Sequence, residues 1–235
     1  MLSAGVAPAR SPELASGPVA RLSYTATPSG ESTIFAAPGR RPLLRLRTGG
    51  RGAGDPFDLG DGLLVLGSKA DRHGHLWYRV QLLQRPRGQA GYIDSALVDV
   101  TANPYRVVVR LGRRTLTVYR AGRAVRRTRA VVGSPSTPTP LGLYAITRQV
   151  DCVQFTCSSG FVGSAINLLT AYSPAYQDIG FGGGPGIVAI HGRGPAALAD
   201  PLGSARSHGC VRIPNAVATW ILRTLLPGTP VQILR

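Results

Sequence analysis

Short apolar runs that include β-branched and aromatic residues recur between residues 21 and 100, a pattern typical of short β-strands. Turn-forming residues separate them, as at residues 85–88, where arginine alternates with proline and glycine. The first twenty residues contain no apolar run and are expected to form a linker. The pattern predicts strands at residues 63–66, 76–82, 91–93 and 97–100.

Three further strands are predicted at residues 106–111, 115–119 and 124–132, with glycine in the turns between them. Because no helical segment separates these strands, they should form an antiparallel meander. Asn103 and Pro104, just before them, mark a boundary. The chain is therefore divided into a linker (1–20), a small all-β domain (21–102) and a larger domain (104–235).

Proline interrupts the pattern at residues 134–140, so no regular strand is expected there, and a strand should follow at 143–146. Residues 148–186 have little periodicity and are rich in glycine and serine. A loop of this length inside a compact domain is usually a functional lid or a disordered segment.

One helix is predicted after Pro214, and a final strand at residues 231–234 closes the sheet. The helix is indicated by four apolar residues that share one face at helical spacing: Val217, Trp220, Ile221 and Leu225. The fold class is therefore mainly β with one C-terminal helix.

The formal net charge is +16, and 26 of the 27 basic residues are arginine. Such a charge attracts anionic polymers. Because alanine, glycine and proline are also abundant, a compositional bias is the alternative explanation. Nine arginines lie between Arg106 and Arg129, and most of them should lie on a solvated face. No nucleic-acid recognition motif accompanies the charge, so a nucleic-acid partner is not expected.

The chain has three cysteines. Cys152 and Cys157 are close enough in sequence to form a disulfide in an oxidising compartment if their Cβ atoms converge, and otherwise both are reduced. A bridge between them would leave Cys210 as the odd and reactive thiol.

Cys210 is the candidate nucleophile, since a thiol reacts as thiolate and needs a nearby base. His191, at the end of an apolar run, is the candidate base, and Gly209 lets the chain turn sharply before the sulfur. Two alternatives are an inert thiol beside buried histidines and a zinc site that uses His191, His208 and Cys210. The zinc site has no evident fourth protein ligand, and no metal or other cofactor is expected.

His191, followed after fifteen residues by the run Ser207–Cys210, resembles the signature of the L,D-transpeptidase catalytic domain, a family of cysteine enzymes that cross-link peptidoglycan. The segment from Gly133 to Tyr144 resembles a second landmark of that family. The resemblance covers roughly residues 104–235. It implies a β-sandwich with a C-terminal helix and a lid loop within residues 148–186.

Residues 77–80 and 91–93 resemble a bacterial SH3-like domain, a small barrel often attached to wall enzymes. This second resemblance implies that residues 21–102 form such a barrel and act as a wall-binding module or a spacer.

The transpeptidase resemblance also implies a role for each site residue. Cys210 is the nucleophile, His191 its base, and the Gly192 backbone carbonyl orients the imidazole. Backbone N–H groups of Gly209, Cys210 and His208 would face the oxyanion. Three residues are assigned to substrate binding: Ser207, Arg212 and Tyr172.

The implied reaction is acyl transfer from a stem tetrapeptide, with release of D-alanine and formation of a 3–3 cross-link. Two alternatives are an L,D-carboxypeptidase that uses water as acceptor and a non-catalytic wall-binding protein. The implied partners are peptidoglycan stem peptides and anionic wall polymers. The implied location is outside the cytoplasm, although this chain contains neither a recognisable signal nor an apolar run of the ~18–20 residues that span a bilayer.

Overall fold

The computed structural model describes residues 21–46, 62–84, 89–155, 157, 160–176 and 186–235. The predicted linker at 1–20 and the predicted turn at 85–88 lie outside these residues. In chain order the strands are β1 (Ser23–Pro28), β2 (Ser32–Phe35), β3 (Pro42–Leu46), β4 (Leu63–Ala70), β5 (Leu76–Gln81), β6 (Ala90–Asp94), β7 (Val98–Asn103), β8 (Tyr105–Arg110), β9 (Thr115–Arg120), β10 (Arg123–Arg129), β11 (Val132–Gly133), β12 (Gly142–Asp151), β13 (Val162–Tyr172), β14 (Ile187–Arg193), β15 (Ala205–Ser207), β16 (Val211–Arg212) and β17 (Pro230–Leu234). The helix α1 spans Asn215–Thr224.

The N-terminal unit is an antiparallel sheet with the strand order β3-β2-β6-β5-β4-β1-β7. The four strands predicted at residues 63–66, 76–82, 91–93 and 97–100 correspond to β4, β5, β6 and β7, which confirms them. Their inward-facing residues form one core, which includes Ile34, Val65, Val80, Leu82 and Ile93. An SH3-like barrel for this unit stays a prediction.

The C-terminal unit has an eight-stranded sheet with the order β10-β9-β8-β17-β12-β13-β14-β16. The predicted meander is confirmed, since β8, β9 and β10 are antiparallel neighbours. The final strand β17 does not lie at the edge. It runs parallel to β8, with Val231 opposite Val107, and separates β8 from β12. A separate parallel pair joins β11 to β15.

The prediction of a long loop at residues 148–186 is wrong in its extent. Strand β12 continues to Asp151 and pairs with β13 over most of its length, so the described loops are only the connections before and after β13. The strand was hidden because β13 is largely buried between β12 and β14, which removes the alternation that identifies a half-exposed strand. Even its polar residue Asn167 is fully buried, where it donates to the Ile190 carbonyl at 3.2 Å. The glycine-rich part of the predicted lid, at 180–185, lies outside the described residues.

Helix α1 packs across β13 and β14. The four residues predicted to share its apolar face all belong to the core cluster or pack against it, which confirms that prediction. The described part of the chain contains no helix with the length and apolarity needed to cross a membrane.

The two units pack against each other through buried polar side chains. The amide of Gln81 on β5 donates to the Leu143 carbonyl at 2.7 Å and accepts from the Thr170 hydroxyl at 2.9 Å. Asn103, where the units meet, donates to the Thr229 hydroxyl at 3.0 Å. Because both amides have partners, their burial costs little, and the contact fixes the relative position of the sheets.

Candidate active site

Strands β14 and β16 bring the histidine and the cysteine to the same face of the sheet. They are parallel, with Ile190 opposite Val211 and His191 opposite Arg212. Ile190 and Val211 both enter the core, so the side chains on either side of them point to the other face. Cys210 immediately precedes Val211, so the same register places it opposite Ala189, two positions or about 7 Å from His191 along the strand direction.

Ser207 shapes the turn that presents Cys210. Its hydroxyl donates to the Cys210 carbonyl at 2.5 Å and accepts from the Gly209 backbone N–H at 3.2 Å. Gly209 has a φ of +115°, which residues with a Cβ rarely adopt. Because Ser207 is fully buried and its hydroxyl is engaged within the turn, its observed contacts are those of a residue that stabilises the turn before Cys210.

The proline-rich segment after β11 forms hydrogen bonds with the same turn. The carbonyl of Ser207 accepts two hydrogen bonds, both at 2.9 Å, from the Ser134 backbone N–H and the Thr137 hydroxyl. At the start of this segment, a Cβ on Gly133 would overlap the Thr137 carbonyl oxygen, so only glycine fits. The two sequence landmarks therefore form one structure in which the second supports the first.

The backbone of Gly192 fixes the orientation of the His191 ring. Nδ1 of His191 lies 2.6 Å from the Gly192 carbonyl oxygen, so Nδ1 carries a proton and donates it to this acceptor. The other nitrogen, Nε2, is then the basic one in the neutral ring.

The electrostatics of the site favour a neutral thiol beside a neutral imidazole. Burial lowers the pKa of His191 to about 4, the charge of Arg212 acts in the same direction, and the Gly192 carbonyl opposes them. Burial raises the pKa of the Cys210 thiol, against a hydrogen bond with the Ala189 backbone and the charge of Arg212. The ionisation of the sulfur is therefore a step that the reaction must drive.

Arg212 is buried and already paired. Its Nη1 donates to Oδ2 of Asp200 at 2.6 Å, and its guanidinium lies 5.2 Å from the centre of the Phe161 ring. Arg212 was expected from the sequence to bind substrate. The structure gives it an internal carboxylate, and its charge acts on both His191 and Cys210.

His208 and Tyr172 lie in different environments. His208 is exposed, with its ring edge-to-face against Phe161 at 6.5 Å between centres. Tyr172 is only 4% exposed and belongs to the core cluster of the N-terminal unit. The Tyr172 side chain is thus buried where the two units meet. The backbone N–H of Gly209 was expected to face an oxyanion. In the structure it donates to the Ser207 hydroxyl.

Sequence reasoning missed Asp200 and Ser173. Asp200 is the partner of Arg212, and its own carbonyl accepts from Arg193 at 3.0 Å. Ser173 is 3% exposed, its hydroxyl has no partner among the described residues, and it lies against Gly209. Acidic residues are scarce in this half of the chain, so Asp200 could have been identified as a candidate partner for a buried arginine. Nothing in the sequence distinguishes Ser173 from the other serines.

A disulfide joins Cys152 and Cys157 in the connection between β12 and β13, with their Cα atoms 5.2 Å apart. Cys210 is therefore the free cysteine of the chain, and it is partly exposed. Within the described residues, no group of three or more His, Cys, Asp or Glu side chains is arranged to hold a metal ion.

The glycine at position 192 is required by its neighbours. A Cβ there would overlap Oδ1 of Asn215 and lie 3.1 Å from the Ser164 backbone nitrogen. We expect Gly192→Ala to lower the free energy of unfolding by about 1–3 kcal/mol, measured by urea denaturation. Gly30→Ala, where a Cβ meets nothing within 4 Å, is the matched control and should change it by less than about 0.5 kcal/mol. Equal effects would contradict the packing argument.

Comparison with known proteins identifies the family of the C-terminal unit. Residues 104–233 match the model of the YkuD family, the L,D-transpeptidase catalytic domain. The match covers more than half of the chain and includes every site residue named above, so the chain belongs to this family. No curated protein sequence matches the chain at a significant level.

Solved structures of similar fold include several L,D-transpeptidases. One from Mycobacterium smegmatis is 16% identical, with a TM-score of 0.42, over 71% of this chain and 80% of that one. One from Mycobacterium tuberculosis H37Rv is 18% identical, with a TM-score of 0.43, over 74% and 90%. The catalytic domain from Enterococcus faecium, acylated by ertapenem, is 22% identical, with a TM-score of 0.37, over 55% and 96%.

Proposed function

We propose that this chain is a peptidoglycan L,D-transpeptidase that forms 3–3 cross-links through a thioester on Cys210. Family membership supports an L,D-transpeptidase-type transferase that acts on peptidoglycan peptides. The observation that carries the residue assignment is the placement of Cys210 and His191 on one face of β14 and β16, with Nδ1 of His191 bound to the Gly192 carbonyl.

In the first half-reaction, Nε2 of His191 takes the thiol proton as the sulfur attacks the carbonyl carbon of the third residue of a donor tetrapeptide. The tetrahedral intermediate then expels D-alanine, whose amine nitrogen receives that proton from His191. The lowered pKa keeps His191 unprotonated at neutral pH but also makes it a weaker base, so proton transfer has to be coupled to the attack of the sulfur.

The developing oxyanion needs preorganised donors. We assign this role to the backbone N–H groups of His208 and Cys210, on the turn that Ser207 and Gly209 hold in place. The N–H of Gly209 is less suited because its bond to the Ser207 hydroxyl would have to break first.

In the second half-reaction, an amine of an acceptor stem attacks the thioester carbonyl, His191 takes a proton from the amine, and the sulfur leaves. The product is an amide between two third residues, and the thiol is restored. The same chemistry allows a carbapenem to acylate Cys210. The substrate implies a site of action outside the cytoplasm, in the cell wall.

The hydrolytic alternative, an L,D-carboxypeptidase, uses the same residues with water in place of the amine. A purified stem tetrapeptide should be incubated with the protein, with and without a second stem peptide as amine acceptor, and the products analysed by mass spectrometry. We expect D-alanine release together with a cross-linked dimer when the acceptor is present. Tripeptide as the sole product in both reactions would assign the carboxypeptidase. Absence of D-alanine and of any covalent adduct would favour a wall-binding protein without activity.

A further inference from the structure

The positive charge of the chain is concentrated on one part of the fold. Residues 100–150 contain ten arginines and no aspartate or glutamate. Nine of the ten belong to the meander β8–β10 and its turns. Of the two ion pairs among the described residues, His75 with Asp94 and Arg212 with Asp200, neither involves this meander.

Some of these arginines have structural roles. Arg106 is 5% exposed and stacks on Tyr119 at 5.0 Å, and Arg126 lies 4.7 Å from the centre of the Trp220 ring on α1. Arg120 lies over Tyr105, and a Cβ on Gly203 would overlap the Arg129 guanidinium. These contacts account for part of the arginine excess as packing.

The remaining exposed arginines outline the rim of the sheet. We define the basic edge as Arg113, Arg114, Arg123 and Arg127, all exposed, along the outer strand β10 and the turn before β9. The register shifts between Ala124 and Arg126, so Arg123 and Arg127 point to opposite faces. The positive charge therefore lies along the edge of the sheet and projects from both of its faces.

The basic edge leads toward the catalytic turn. Strand β10 ends at Arg129, and two residues later Val131 bridges to Arg212 on β16. Strand β11, which follows directly, runs parallel to β15, where Arg206 is exposed one residue before Ser207. An extended chain bound along β10 would thus end beside the turn that carries Cys210.

We propose that the basic edge binds an anionic polymer with a phosphodiester backbone, which holds the protein on the wall beside its substrate. Arginine pairs with phosphate through two parallel hydrogen bonds, and 26 of the 27 basic residues here are arginine. The proposal rests on the proposed function only for the compartment in which the polymer is met. The aromatic rings of the meander and of α1, Tyr105, Tyr119 and Trp220, already have arginine side chains lying over them, which disfavours base stacking by a nucleic acid.

The test compares two triple variants of equal charge. The basic-edge variant replaces Arg113, Arg123 and Arg127 with glutamine. The N-terminal variant replaces Arg40, Arg41 and Arg45, which are also exposed, with glutamine. Arg114 is left unchanged because its φ of +50° makes substitutions there hard to interpret. Binding of fluorescent poly(glycerol phosphate) is measured by anisotropy between 50 and 200 mM salt, a readout that needs no turnover.

The wild-type chain and the N-terminal variant should bind with Kd values within about threefold of each other. The basic-edge variant should bind about 10- to 100-fold more weakly at low salt, with its log–log salt slope reduced by about 2. Equal losses in both variants, or no binding by the wild-type chain, would overturn the proposal. So would single-stranded DNA of equal charge bound more than about tenfold more tightly than the polymer.

One further outcome also overturns it. Charged side chains on an edge strand prevent pairing with a second sheet. If the basic-edge variant self-associates on size-exclusion chromatography and yet binds the polymer as the wild-type chain does, protection of the edge is the role of these arginines.

Discussion

Replacement of Cys210 by alanine is expected to abolish D-alanine release, with a loss of about 10³-fold or more, while the protein stays folded. The sulfur is the only group proposed to form a bond to the substrate, so nothing else at the turn can form the acyl intermediate. The turn should persist, because it is held by the Ser207 hydroxyl and the φ of Gly209 and not by the thiol. Release of D-alanine, circular dichroism and the intact mass after incubation with a carbapenem provide the measurements.

The chain offers its own control for this experiment. The double variant Cys152→Ser, Cys157→Ser removes the disulfide and leaves Cys210 as the single cysteine. It should still gain the mass of one carbapenem, and peptide mapping should place the adduct on Cys210. An adduct on folded Cys210→Ala protein, or unchanged D-alanine release by it, would show that the nucleophile lies elsewhere.

The sequence was most informative where residue types alone indicate the element. The meander β8–β10 and helix α1 were predicted with nearly their observed bounds, since valine, leucine and threonine mark the strands β8 and β9 and apolar residues at helical spacing mark the helix. Strand β13 was missed because glycine, serine and asparagine interrupt its apolar residues. Its glycine and serine residues suggest a loop until the pairing with β12 and β14 is known.

In the candidate site, the features that depend on neighbouring residues in the sequence could be predicted, and those that depend on distant residues could not. The roles proposed for Cys210 and His191 follow from chemistry and from a short motif, and the register of β14 and β16 brings the two residues within two positions of each other. The environment of Arg212 depends on Asp200, twelve residues away in a loop, and no pattern along the chain predicts that pair. Tyr172 is adjacent in sequence to Ser173, which lies against Gly209, yet its own side chain faces the other unit.

The pair formed by Arg212 and Asp200 tunes the site more than it binds substrate. With its side chain 4% exposed, the guanidinium is held 2.6 Å from an internal carboxylate. Its charge lowers the pKa of both His191 and Cys210, which disfavours a protonated imidazole and favours a thiolate. Burial of the sulfur outweighs that second effect, since the pKa of the thiol is still raised. At neutral pH the imidazole of His191 is therefore neutral and the thiol of Cys210 is protonated.

Replacement of His191 by alanine is expected to lower kcat/KM for D-alanine release by about 10²- to 10⁴-fold and to change its dependence on pH. In the wild-type chain the base works when neutral, and its pKa of about 4 means that it is neutral throughout the range above about pH 5. Activity should therefore fall on the acid side near pH 4, well below the usual value of about 6.5 for histidine. Without the imidazole only the thiolate reacts, so the rate should rise about tenfold per pH unit toward the raised pKa of Cys210.

The shape of the pH profile distinguishes this role from a structural one. Loss of packing around His191 would lower the rate by a constant factor and leave the profile unchanged. His191→Gln removes the base but keeps a polar side chain of similar size, and it should reproduce the steep alkaline rise. Stopped-flow acylation by a carbapenem from pH 4 to pH 10 tests both variants without an acceptor. A wild-type acid limb near pH 6.5, with the same limb retained in His191→Ala, would exclude His191 as the base.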